Sequence, residues 1–282
     1  MNRYSARLLL GSGIIACAAQ HSPSPPAQAP IPEPTVPAIP RNIPQRSGPW
    51  NFRYTSGVMK YEIARNAAVQ NMDVIADSIR SSTTRSDDLL IFETSDSGTS
   101  VKAVVISATA GQSEAANSAA ISALLGDSTL TINTVTTETC TPANSVLTAD
   151  LYNLIVPFPA RLVPGYAWKD SIEMNLCQTG VPISAKISRS FLVRGDTLYQ
   201  DKHLVMIART DSVTMEGAGG LEQHRLTIHA IGTGTAVYYL NPDSSSTVVR
   251  LTVKQNIGFE LITVEDRSHF IQTLTQEFVL LP

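Results

Sequence analysis

Charge is scarce in this chain of 282 residues: Asp, Glu, Lys and Arg make up 16% of it, and the net charge is −3. No basic stripe runs through it, which removes the electrostatic footprint that nucleic-acid binding requires. Cysteine is limited to three residues and histidine to five. His224 and His229 stand five apart on an expected strand and therefore face opposite sides of it. His203 and His269 fall near strand starts, and no cysteine lies close enough to join them in a ligand set. No metal site and no cofactor are expected. The nucleophile elbow Gly-x-Ser-x-Gly is also absent, so no catalytic constellation is expected.

Present instead is a short apolar segment near the N-terminus. Arg3 and Arg7 precede Leu8-Leu9-Leu10, and Ile14-Ile15-Ala16-Cys17 follows. The segment is too short to cross a bilayer as a permanent helix and has the layout of an export signal. Ile14-Ile15-Ala16-Cys17 resembles the lipobox of bacterial lipoproteins. That resemblance implies cleavage after Ala16, acylation of Cys17 and a lipid anchor outside the cytoplasm. Two or three acyl chains, at about 0.8 kcal/mol per buried methylene, make such an anchor stable. Ala18 in place of an aspartate implies the outer membrane, with the body facing the periplasm. Cleavage after Ala18 remains the alternative, and it would release a soluble product.

Residues 17–49 read as a tether. Between His21 and Pro49 stand ten of the seventeen prolines, which neither helix nor inner strand tolerates. An extended spacer of this kind reaches on the order of 90 Å. The body, 50–282, is long enough for one large domain or two small ones.

Its periodicity is that of strands. Thr247-Val248-Val249-Arg250-Leu251-Thr252-Val253-Lys254 alternates, and so do residues 225–230 and 59–63. Further strands are expected at 89–93, 101–108, 129–136, 186–194, 204–209, 235–240, 259–264 and 270–280. Asp96-Ser97-Gly98 and Asn241-Pro242-Asp243-Ser244 read as turns. Two helices are expected: 114–125, capped by Ser113 and stopped by Gly126, and 146–156, capped by Asn144 or Ser145. Leu147, Leu151, Leu154 and Ile155 form the apolar stripe of the second. The expected fold is mainly β, with curved antiparallel sheets, half-barrel or sandwich-like, carrying one or two short helices. Two sheet halves would meet near residues 140–165.

Cys140 and Cys177 are expected to pair in an oxidising compartment. Closing a loop of roughly 37 residues is worth about 4 kcal/mol in the chain-entropy account. The glycine-rich stretches 217–220 and 232–234 read as loops or bulges, since neither opens a helix where phosphate could sit. Trp168, entering a strand after the Pro164-Gly165 turn, is either a core anchor with a bonded ring N–H or a ligand-stacking ring. Gly126-Asp127-Ser128 resembles the start of the GDSL hydrolase motif, but Thr129-Leu130 breaks it and no Asp-x-x-His follows. A helix stop and turn explain it more simply.

Leu154–Pro159, Pro164-Gly165-x-x-Trp168-x-Asp170, Phe191–Gly195 and Gly232-Thr233-Gly234 together resemble a group of uncharacterised bacterial envelope β-domains. The resemblance covers the body from about residue 58 and implies a periplasmic β-rich fold without a known reaction. The expected role is a membrane-anchored, non-catalytic binding or scaffolding domain, its partner an envelope protein or an apolar ligand. The alternative is a carrier of a lipid in a half-barrel cavity, by analogy with the outer-membrane lipoprotein carriers. Such a cavity would be lined by residues such as Ile63, Val104, Leu251, Phe259 and Phe270. A hydrolase is the least favoured reading.

Overall fold

The structure, a computed structural model, describes residues 48–51, 57–72, 81–94, 100–107, 119–126, 129–132, 141–178, 181–220, 225–242 and 247–282. Cys17, the tether up to residue 47 and Cys140 lie outside the described residues, as do His224 and the Asp96-Ser97-Gly98 turn.

Thirteen strands and one helix follow each other along the described chain. They are β1 (Trp50–Asn51), β2 (Gly57–Asn71), β3 (Ser81–Thr94), β4 (Ser100–Ser107), β5 (Ala119–Gly126) and β6 (Thr129–Ile132). After these come α1 (Pro142–Leu154), β7 (Arg161–Leu162), β8 (Ala167–Gln178), β9 (Val181–Tyr199) and β10 (Lys202–Gly219). The chain closes with β11 (Leu226–Asn241), β12 (Thr247–Ile262) and β13 (Arg267–Leu280). Eleven strands form one sheet in the order β6-β5-β4-β3-β2-β13-β12-β11-β10-β9-β8. Every pairing in it is antiparallel. The first and last thirds of the chain meet at the β2–β13 seam, where Ile63 faces Phe278, so the two sequence halves are one continuous sheet.

The sheet is curled into a half-barrel around α1. The helix touches β8 at one edge and β4 and β5 towards the other, which a flat sheet could not permit. The Tyr152 hydroxyl shows the closure directly, lying 3.0 Å from the Leu130 carbonyl of β6 and 3.4 Å from the Glu173 carbonyl of β8. The helix thus fills the gap between two edge strands that do not pair with each other among the described residues. Covering the gap also shields edges that would otherwise recruit another strand.

Inward residues follow the alternation. Along β9 Ile183, Ala185, Ile187, Phe191 and Val193 are buried, and on β11 Ile228, Ala230, Ala236, Tyr238 and Leu240 are. The expected separate strands at 225–230 and 235–240 are one strand, because Gly232-Thr233-Gly234 is not a loop. A Cβ at Gly232 would stand 2.6 Å from the Asn256 carbonyl and one at Gly234 3.2 Å from the Lys254 carbonyl, so the glycines let β12 press close to β11. Gly217 and Gly219 likewise lie within β10. The β9–β10 hairpin turns through Gln200 and Asp201 at φ 48° and 60°, the left-handed pair that matches strand twist in a two-residue turn.

Two expectations about helices are corrected. The expected 114–125 helix ends in β5, since Ala119 and Ala123 are buried and Ala120, Ser122 and Leu124 exposed. Alanine favours helix locally, but pairing with β4 offers a ladder and a buried face, and tertiary context wins. Residues 113–118 lie outside the described residues. The second helix starts earlier than expected, at Pro142. Thr141 is its cap, accepting the Asn144 N–H at 3.2 Å, with proline at a first position that needs no donor. Leu147, Leu151, Leu154 and Ile155 are all buried, as their spacing demands.

Candidate interior cavity

Helix α1 fills only part of the half-barrel. Its C-terminal half packs into the main core with Phe158, Phe191, Tyr238 and Leu251. A second cluster, built on Ile183, Ile228, Ile257, Phe259 and Leu261, occupies the end where β12 turns into β13. Between them lies a cavity of about 120 Å³, partly open to solvent. Val146 and Ala149 of the helix form one wall. Ile172, Met174, Ile187, Met215, Ile257 and Phe259 supply the apolar lining of the sheet, and Gln255, Gln272 and Gln276 bring amides. Inward parity explains the amides: Gln255 sits between buried Val253 and Ile257, and Gln276 two residues before buried Phe278.

On the cavity wall itself, Arg65, Arg189 and Arg209 belong to a belt of ion pairs and hydrogen bonds that fastens the helix to the sheet. Arg189 of β9 grips Asp170 of β8 through two bonds of 2.7 and 2.6 Å and donates a third to the Tyr152 carbonyl at 2.9 Å. Arg209 of β10 bonds Asp211 at 2.8 Å, the Asn153 side chain at 2.9 Å, and the Tyr238 hydroxyl. Tyr238 in turn donates to the Asn153 carbonyl at 3.0 Å. Both guanidiniums therefore sit at the helix C-terminus, where free carbonyls and the macrodipole favour positive charge. Arg65 of β2 pairs with Asp88 of β3 and Asp150 of the helix, and Gln276 donates to Asp150 at 3.3 Å. Burial pushes the Tyr238 and Tyr152 hydroxyls above their ordinary range, against the pull of the nearby arginines. Both stay protonated as donors.

Asp150 is wholly buried, and that burial raises its carboxyl from 3.8 to about 6, outweighing the attraction of Arg65 and the Gln276 bond. Between those two values the unfolded chain has released its proton while the folded chain still holds it, so folding stability falls as pH rises through the window. The displacement corresponds to roughly 3 kcal/mol. Urea unfolding of Asp150→Asn beside the unaltered chain should therefore show the variant gaining about that much relative stability between pH 4 and 7. Parallel curves across the range would contradict it.

The residues singled out in the sequence are placed as follows. Trp168 stacks on Phe191 with ring centroids 4.7 Å apart and 3° between planes, with the Phe158 edge at 6.2 Å. It packs against the main core and does not line the cavity, and its ring Nε1–H is buried without the hydrogen-bond partner expected among the described residues. Cys177 is buried at the end of β8. Its backbone exchanges bonds with the Ser145 hydroxyl, which donates to the Cys177 carbonyl at 3.1 Å and accepts the Cys177 N–H. Of the residues suggested for a cavity, Phe259 lines it and Phe270 packs against the second cluster, whereas Ile63 and Leu251 belong to the main core. Val104 is 37% exposed and lies on the outer parity of β4, opposite to inward Ala103 and Val105. His203 meets Asp196 at 2.7 Å, and His269 stands 3.3 Å from Glu260. No cluster of metal-ligating side chains occurs among the described residues, and no helix among them is long and apolar enough to cross a membrane.

Sequence reading passed over the arginines, although the pattern carried a signal. Arg65, Arg189 and Arg209 each fall on the same parity as a buried Ile two residues earlier, Ile63, Ile187 and Ile207. A charge on the apolar phase of a strand marks a buried ion pair.

No protein-family model and no curated protein matches the chain. Among solved structures, an outer membrane channel from Pseudomonas putida F1 is similar over 82% of this chain and 98% of that chain, at 7% identity and a TM-score of 0.22. A likeness that shallow carries no argument about fold or function.

Proposed function

We propose that this chain is a bacterial envelope lipoprotein whose half-barrel binds a small, largely apolar ligand in its interior. One observation carries the reading: a partly open cavity of about 120 Å³ whose walls are mostly aliphatic and aromatic. Binding sites for small molecules have this character, apolar walls with a few placed polar groups. On its wall Arg189 and Arg209 are paired with Asp170 and Asp211 and bonded to the helix, which suits a site that holds rather than reacts. The anchor, by the lipobox at Ile14-Ile15-Ala16-Cys17, would fix the domain through acylated Cys17 to the outer membrane, with the tether letting it reach into the periplasm. A Cys140–Cys177 disulfide would pin the start of α1 to the end of β8. The Ser145–Cys177 bonds support it, because Cys140 directly precedes the cap residue Thr141.

Protein purified natively from membranes is expected to release an apolar compound on extraction, visible by mass spectrometry. Ala149→Phe, which pushes a ring into the cavity from the helix, should lower the bound amount at least tenfold, as overfilled space excludes a ligand. An interior that is empty in both proteins would defeat the reading and leave scaffolding by the outer surface. Azido-palmitate labelling should disappear in Cys17→Ser, and label retained by that variant would remove the anchor.

A further inference from the structure

One arginine on the cavity wall has donors to spare. We infer that the cavity takes a short acyl group, seated so that its carbonyl or carboxylate oxygen accepts from the guanidinium of Arg65. The inference rests on the ligand-binding reading above and assigns that site its head group.

The three arginines of the lining differ in how fully they are used. Arg189 bonds through all three of its nitrogens, to Asp170 and the Tyr152 carbonyl. Arg209 does the same, to Asp211, Asn153 and Tyr238. Arg65 of β2 bonds only through Nη2, to Asp150. Asp88 balances its charge as an ion-pair partner, yet Nε and Nη1 are buried and make no hydrogen bond. The Arg65 side chain is 9% exposed, so water is poorly placed to serve them. A buried charged donor without an acceptor is costly, and a ligand oxygen delivered through the cavity removes that cost.

The remaining wall defines what carries the oxygen. Arg65, Arg189 and Arg209 are the charged residues of the lining, and no carboxylate stands among them. An ammonium head would meet three guanidiniums and find no counter-ion. A phosphate would set more negative charge beside Asp88 and Asp150 than Arg65 balances. A carbonyl or a single carboxylate offers acceptor lone pairs in one plane, the geometry that the N–H groups of a guanidinium match. Ile172, Met174, Ile257 and Phe259 then receive the chain. Space limits its length: an engineered protein cavity of about 150 Å³ takes up benzene, so about 120 Å³ encloses about six carbons.

Isothermal titration of the full chain near neutral pH tests this with hexanoate, methyl hexanoate, hexylammonium, and toluene as a probe without a head group. At least one of the two acyl compounds should bind about tenfold tighter than hexylammonium, the lower end of what a hydrogen bond to a charged group is worth. Hexanoate as the tighter of the two marks a free acid as the source, and methyl hexanoate marks an ester. Arg65→Lys keeps the positive charge between Asp88 and Asp150 but removes Nε and Nη1. The ratio of acyl to toluene affinity should therefore drop about tenfold. Should that variant fail to fold, the Nε–H magnetic resonance of Arg65 in the unaltered protein serves instead, and it should shift further with the tighter acyl compound than with toluene. Acyl affinity no better than that of hexylammonium, a ratio unchanged in Arg65→Lys, or an Arg65 resonance that moves no further than with toluene would overturn the assignment. Toluene uptake would then keep the cavity reading intact. If none of the four compounds bound, both would fall.

Discussion

Arg209→Ala is expected to destabilise the domain by about 3–5 kcal/mol, because it strips the counter-ion from a carboxylate that cannot reach water. Asp211 has a side chain 1% exposed, and Arg209 is its partner through two bonds. The same guanidinium holds Asn153 at the end of α1 and stands 5.5 Å over the Tyr238 ring. Loss on this scale is a large share of the 5–15 kcal/mol that typically separates folded from unfolded chains. A urea titration followed by far-ultraviolet circular dichroism reads it as a lowered midpoint. The companion variant Arg209→Met with Asp211→Leu should recover most of the loss, since an apolar pair replaces an ion pair without an orphaned charge. A single-variant cost below about 1 kcal/mol would mean that the belt does not fasten the helix.

Phe191→Ala should cost a comparable 3–5 kcal/mol by emptying the centre of an aromatic cluster. Phe191 is 2% exposed, stacked on Trp168, with the Phe158 edge 6.5 Å and the Tyr238 ring 6.4 Å away. Close stacking adds to burial, so the near-ultraviolet signal of Trp168 should weaken along with stability. Phe191→Leu keeps most of the apolar volume and should cost about half as much. A Trp168 spectrum unchanged in Phe191→Ala would contradict the packing.

Alternation made the strands legible. In β12 Leu251 and Val253 face inward as a period of two expects, but Val249 is only half-buried and Val248 takes the inward place, because the register against β11 shifts between Tyr239 and Leu240. The sheet's extent was less legible than its existence. Gly232 looks like a break until the Asn256 carbonyl is seen pressing against it from the next strand. At 119–126 local propensity and tertiary pairing disagree, and the sequence carries no mark of the β4 partner that decides the matter. The site was least legible of all. Gln255, Gln272 and Arg65 are far apart in the chain and acquire a common surface only when β2, β13 and β12 lie side by side.

Composition and period determined a mainly β, antiparallel body and the helix with its apolar stripe, because side-chain direction follows from a repeat of two or of 3.6 residues. The half-barrel's closure, the pairing of each buried arginine and the space left beside α1 were decided only in three dimensions. Their physical reason is common to all three. Each depends on groups separated by many residues arriving within bonding distance, and no local pattern encodes where a curled sheet brings its two edges. Tyr152 illustrates it: from one helix position it reaches carbonyls of both edge strands, β6 and β8.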